Sequence, residues 1–123
     1  DACIQVRSSA DGSEASADIV VRNVTVAGCS KRGIDITAVG TVVVEDSVAT
    51  NNVAGISVLG PGGVGPRQNA ALGRPVLTLR RNHVYANQGP GIVVERAGGG
   101  VIDDNDVHEN LLNGIYVRDS EGV

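Results

Sequence analysis

Residues 82–94 read Asn82-His83-Val84-Tyr85-Ala86-Asn87-Gln88-Gly89-Pro90-Gly91-Ile92-Val93-Val94, and this stretch decides the fold. A three-residue segment with one central apolar residue is followed by an Asn, a turn and then Gly-Ile-x-Val. Gly-Ile-x-Val/Ile recurs at Gly33-Ile34-Asp35-Ile36, Gly55-Ile56-Ser57-Val58 and Gly114-Ile115-Tyr116-Val117, and Cys3-Ile4-Gln5-Val6 has the same form with Cys in the Gly position. The four glycines are spaced by 22, 36 and 23 residues, so the middle interval is one period plus an insertion near residues 60–75. Counting back from each Gly without gaps aligns four further columns. They are Cys29, Asn51, Asn87, Asn110; then Val26, Val48, Val84, Val107; then Val24, Asp46, Asn82, Asn105; then Val21, Val43, Leu79, Ile102.

A period near 22 made of short Val/Ile segments and Asn/Gly turns predicts one coil of a parallel β-solenoid with three strands per coil. Composition agrees. The 123 residues include 21 Val, 8 Ile, 6 Leu, 17 Gly and 9 Asn, with no Met, Phe or Trp. Branched aliphatics favour strands, and Gly with Asn favours turns. Side chains alternate along each strand, so one column in two faces a core that the coil wraps for itself. Val84 and Ile92 are predicted to be buried and stacked on Val107 and Ile115. Charges fall into opposing pairs in the same columns: Arg80 with Asp103, Arg81 with Asp104 and Glu45, His83 with Asp106, Glu95 with Arg118.

The pattern Asn-x-Val-x-x-Asn-x-x-x-Gly-Ile-x-Val resembles the right-handed parallel β-helix repeat of the pectate-lyase-like superfamily over nearly the whole chain. The resemblance implies an all-β, right-handed parallel β-helix of about four coils of 22–23 residues. It also implies a secreted, cell-surface or periplasmic protein. It leaves activity open, because the superfamily holds lyases, hydrolases, epimerases, tailspikes, adhesins and periplasmic binding modules. By the resemblance, Gly-Ile-x-Val is the first strand of each coil, and long loops at 7–17, 60–75 and 96–100 flank the first-strand face. The chain is read as a single β-helix domain, residues 1–123. Asp1 begins it and no signal-peptide pattern is present, so it is expected to be a module of a larger protein. End-to-end self-association, or adjoining coils of the parent, is expected at the terminal coils.

Two groups of residues are candidates for chemistry. On the first-strand face, Glu95, Tyr116 and Arg118 are the base, acid and cation that a lyase or epimerase of uronate polymers would need. Val93 and Leu59 interrupt that face, there is no pair of stacked carboxylates, and the chain has few aromatic platforms for sugar. The reading therefore favours a non-catalytic module, structural or glycan-contacting, over a polysaccharide lyase or epimerase. On the third strand, His83, Tyr85, Asp106 and His108 fall in adjacent columns. That patch is a candidate binding surface for a weakly held metal ion or a proton, beside the plainer reading of a cross-strand His–Asp contact. Asp106-Val107-His108-Glu109 is similar to the Asp-Pro-His-Glu/Asp motif of alginate epimerases, with Val for Pro and on the third strand instead of the first.

Asp103-Asp104-Asn105-Asp106 lacks the Gly and Glu that an EF-hand loop requires, and the Gly60–Pro66 stretch lacks the Lys of a phosphate loop. No cofactor and no dedicated metal site is expected. A formal charge of −4 argues against nucleic acid, and no apolar run is long enough for membrane insertion. A polysaccharide is the possible partner. Cys29, in the Asn column, is expected to be a buried thiol. Cys3 lies one coil below and four positions along the path, beyond the usual Cα separation of a bridge, so a disulfide between them requires the N-terminus to fold back, and the sequence leaves that alternative open.

Overall fold

The computed structural model describes residues 2–7, 17–61 and 73–123. They form thirteen strands and no helix: β1 (Ile4–Arg7), β2 (Ala17–Arg22), β3 (Thr25–Ala27), β4 (Arg32–Thr37), β5 (Gly40–Glu45), β6 (Val48–Thr50), β7 (Ala54–Leu59), β8 (Val76–Arg80), β9 (His83–Tyr85), β10 (Ile92–Glu95), β11 (Gly99–Asp103), β12 (Asp106–His108) and β13 (Ile115–Arg118). All pairing is parallel. The first sheet stacks β1-β4-β7-β10-β13, the second β2-β5-β8-β11 and the third β3-β6-β9-β12. The chain visits the three sheets in turn, coil after coil, as a right-handed parallel β-helix of four coils closed by β13. Residues 8–16 and 62–72, which hold most of the two longest expected loops, lie outside the described residues.

The interior is the stack of inward columns. Ile34, Ile56 and Ile92 are fully buried in one ladder, Ile36, Val58 and Val94 in the next, and Val42, Val44, Leu77 and Leu79 fill the second sheet. Val84 and Ile92 are solvent-free and pair in register with Val107 and Ile115, although Ile115 remains 45% exposed. Fully burying a side chain of this size stabilises by roughly 1.5–3 kcal/mol, which is why short strands without aromatics can hold the coil.

The turns use a repeated device. A residue with left-handed backbone precedes each ladder position: Asn23, Asp46, Arg81 and Asp104 at the second turn, and Gly28, Asn51, Ala86 and Glu109 at the third. From Ser47 onward, the next residue then caps the coil below with its side-chain oxygen. Cys29 N–H donates to Asn52 Oδ1 at 2.9 Å, Asn52 N–H to Asn87 Oδ1 at 3.0 Å, and Asn87 N–H to Asn110 Oδ1 at 3.1 Å. At the second turn Ser47 N–H donates to Asn82 Oδ1 and Asn82 N–H to Asn105 Oδ1. The amide nitrogens return the favour: Asn82 Nδ2 donates to Val44 O, and Asn87 Nδ2 to Ala49 O. Buried turn groups that would otherwise cost about 1–3 kcal/mol each are thereby satisfied.

This register corrects the gapless alignment in one coil. Asn52, not Asn51, occupies the third-turn ladder, Ala49 replaces Val48 in the inward column, Ser47 replaces Asp46, and Val44 replaces Val43. The true period is 23, as the bonds between residues 29 and 52 and between 87 and 110 show. One residue is missing between Asn52 and Gly55, so counting back from that Gly places everything before it one step off. The charge pairs shift accordingly. Glu45 is level with Arg80, while Arg81 bonds Asp46 at 2.7 Å and reaches Glu45 diagonally at 3.2 Å. Arg80 holds Asp103 through two bonds, as expected.

The cysteines correct the expectation of a buried thiol. Cys3 and Cys29 form a disulfide with a Cα separation of 5.6 Å. The reason lies in the ladder. At each third turn the Asn side chain of one coil folds over the Gly of the coil below. A Cβ built on Gly33 would lie 2.6 Å from Asn52 Nδ2, and one built on Gly91 would lie 2.8 Å from Asn110 Nδ2. Cys29 holds the Asn seat and Cys3 the Gly seat of that same contact. Distance measured along the strand path overestimated a gap that the side chain crosses directly.

Candidate functional site

The third sheet carries the cluster. Each strand there has three residues with the central one inward, so Val84 and Val107 face the core and their neighbours face outward. Asp106 pairs with His83, and His108 with Tyr85, at ladder spacing. The outward side chains lean together. His83 Nε2 and His108 Nε2 are 2.9 Å apart, so one nitrogen donates and the other accepts. Asp106 Oδ2 lies 3.5 Å from His83 Nε2, and its Oδ1 lies 3.9 Å from His108 Nε2. Two imidazole nitrogens and a carboxylate thus come within 4.8 Å of one another.

Tyr85 completes the arrangement. Its ring stacks on His83 with centroids 4.3 Å apart and on His108 at 5.3 Å and 4°, almost parallel. Stacking of this kind holds both imidazoles edge to edge over the strand surface. Glu109, read in the sequence only as the end of the Asp-Val-His-Glu motif, places Oε1 3.4 Å from His108 Nδ1. It sits next to His108 in the chain at a left-handed turn residue, and adjacency to a ring with two nitrogens was the available signal. An open hollow of about 240 Å³ adjoins Glu109, lined also by Ala86, Asn87, Gln88 and Leu111.

The first-sheet candidates lie on a different sheet and do not join this cluster. Glu95 faces Arg118 in register at 3.8 Å and is also held by Arg96 at 3.2 Å. Arg118 is drawn to Glu95 and Asp119, which raise its pKa above the ordinary guanidinium range. Tyr116 pairs with Val93 and stands partly exposed beside them. Glu95 is therefore wedged between two guanidinium groups, both of which engage its carboxylate. Further back on the same face, Asp35 and Ser57 pair in register and are buried, and Arg32 reaches Asp35 at 3.3 Å.

Among the described residues, no helix is long and apolar enough to cross a membrane. A protein-family profile described as periplasmic copper-binding protein (NosD) matches residues 3–123. No curated protein and no solved structure matches the chain.

Proposed function

The chain belongs to the NosD family, described as periplasmic copper-binding proteins, and we propose that the third sheet of this β-helix holds copper as cargo between His83, His108 and Asp106. The family places the chain among periplasmic β-helix modules, in keeping with the expected secreted, surface or periplasmic location, and supports a non-catalytic role. The observation that carries the copper reading is the facing pair of Nε2 atoms at 2.9 Å with a carboxylate oxygen at 3.5 Å. Imidazole and carboxylate are the donors that first-row divalent ions accept, and their order of affinity peaks at copper.

The donor set fits the ion. The two Nε2 atoms are adjacent, and both offer a lone pair to an ion once the proton they share moves to an Nδ1 or is released. Asp106 supplies a negative charge that offsets part of the cation's. Glu109 lies against the opposite nitrogen of His108, in the outer position from which a carboxylate orients a metal-bound imidazole. Copper held here supplies a transportable ion and no bond-breaking step is required of the protein. The glycan-contacting form of the module finds less support, since Val93 and Leu59 lie level with Ser57 and Glu95 on the first-sheet face. The family description points to copper in place of a polysaccharide.

Calorimetric titration with Cu(II), with His83→Ala and His108→Ala alongside, tests the proposal. One equivalent should bind, and each substitution should weaken it by more than about tenfold, the least that losing even an outer partner of a ligand costs. Both side chains are partly exposed, so the variants should keep the wild-type melting curve. Unchanged affinity in both variants would place copper elsewhere.

A further inference from the structure

We infer that this site takes copper in the cupric state and discriminates against the cuprous ion; the inference rests on the copper reading above. Three independent features point the same way.

The first is donor chemistry. Cuprous copper prefers soft thiolate and thioether sulfur, whereas cupric copper is satisfied by imidazole and carboxylate in a tetragonal arrangement. The chain has no Met, and its two Cys are joined in a disulfide. No sulfur ligand of either soft kind exists anywhere in the sequence.

The second is geometry. Nitrogens 2.9 Å apart and each about 2.0 Å from one ion subtend roughly 90°, the cis angle of a tetragonal site. A linear pair of imidazoles, the other way to hold a monovalent ion with nitrogen alone, needs nitrogens about 4 Å apart on opposite sides of the ion. Tyr85 opposes that spreading. It stacks on both rings, and its strand is tied to β12 by the ladder, so opening the nitrogens by an ångström means sliding both imidazoles off the phenol.

The third is charge. Asp106 approaches both nitrogens and Glu109 approaches His108 from behind. Two carboxylates around one seat favour a dication over a monocation, because the Coulomb attraction scales with the ion's charge. Zn(II) shares that advantage and ranks below Cu(II) for the same ligands.

The test is a pair of anaerobic titrations of the intact chain, with the disulfide kept oxidised. Cu(II) is followed by electron paramagnetic resonance, and Cu(I) is followed by competition with a chromogenic cuprous chelator. Cu(II) should bind at one equivalent with nitrogen hyperfine structure from two imidazoles. Its affinity should exceed that for Cu(I) by at least about 100-fold, and that for Zn(II) by a smaller factor. Tyr85→Ala, checked for an unchanged circular dichroism spectrum, should narrow the Cu(II)-to-Cu(I) ratio at least about fivefold, as the rings gain freedom to spread. Cu(I) bound as tightly as Cu(II) would overturn the inference while leaving the copper reading intact. Binding of neither ion would overturn both.

Discussion

Gly55→Ala and Gly114→Ala are the same change in the same column, and their costs should differ by about 2 kcal/mol. Neither glycine has a left-handed backbone, so conformational strain does not separate them. Their surroundings do. A Cβ on Gly55 would lie 2.5 Å from Gly91 O and 3.1 Å from Asn87 Nδ2, with Val84 Cγ1 also in the way. An ordinary contact begins near 3.4 Å, so a backbone carbonyl, a core methyl and the ladder amide must all retreat. Overpacking of this kind costs about 1–3 kcal/mol, and disturbing the Asn87 bonds adds about 1 kcal/mol. Restricting the unfolded chain returns about 0.4–1 kcal/mol. The net expectation for Gly55→Ala is a loss of about 2 kcal/mol, or roughly 8 °C in Tm for a chain of this size. On Gly114 the new Cβ meets Val107 Cγ1 at 3.6 Å and nothing closer. That variant should be neutral or more stable by about 0.5 kcal/mol. Guanidinium unfolding followed by far-ultraviolet circular dichroism measures both, with the slope m compared to confirm that the same surface is exposed. If the two variants lose stability equally, the stacking of Asn over Gly is not what selects glycine in this column.

The same contact makes a second prediction. Cys3→Gly with Cys29→Asn rebuilds the Asn-over-Gly pair, so the double variant should recover part of the stability that Cys3→Ser loses. The loss itself is about 3.5 kcal/mol in the chain-entropy account of a loop with sequence separation 26. Equal melting temperatures for the two would mean that Cys29 does not sit in the ladder seat. Asn87→Leu strands the Asn52 N–H and the Ala49 carbonyl together, and should cost about 3 kcal/mol by thermal unfolding; a loss under about 1 kcal/mol would mean water satisfies both. Arg81 and Arg80 hold Asp46 and Asp103 below the ordinary carboxylate range through their hydrogen bonds. Their contribution is complete above the unfolded value near 4 and lost as pH falls through the lower folded one. Asp103→Asn should therefore flatten the acid limb of the stability profile below about pH 4, and an unchanged limb would assign the acid loss to other groups.

The fold was legible because a solenoid writes its core as columns, and Val84, Ile92 and their neighbours repeat with little interruption. Register failed where two asparagines stand side by side. Asn51 and Asn52 fit the ladder equally by type, and only the backbone decides which one turns left-handed and which one caps. Column reasoning brought His83, Tyr85, Asp106 and His108 to one surface. It did not tell how the rings would lean, because rotamers are set by packing and not by register. The disulfide stayed hidden for a related reason. The alignment recorded Asn and Gly as separate columns, and nothing in the sequence marks that their side chains meet across coils.

The seats that hold His83 and Tyr85 exist once in every coil. One coil earlier they are occupied by Val48 and Thr50, and before that by Thr25 and Ala27. Successive seats are set by translation along the helix axis at the strand spacing of about 4.8 Å. The backbone is thus a ruler on which outward side chains can be changed one coil at a time, with most room at Val48, since Thr50 is buried. Placing an imidazole at 48 would extend the present cluster by one coil. The pitch of the β-helix, and not the make-up of its core, therefore sets the interval at which outward side chains can be repeated along the third sheet.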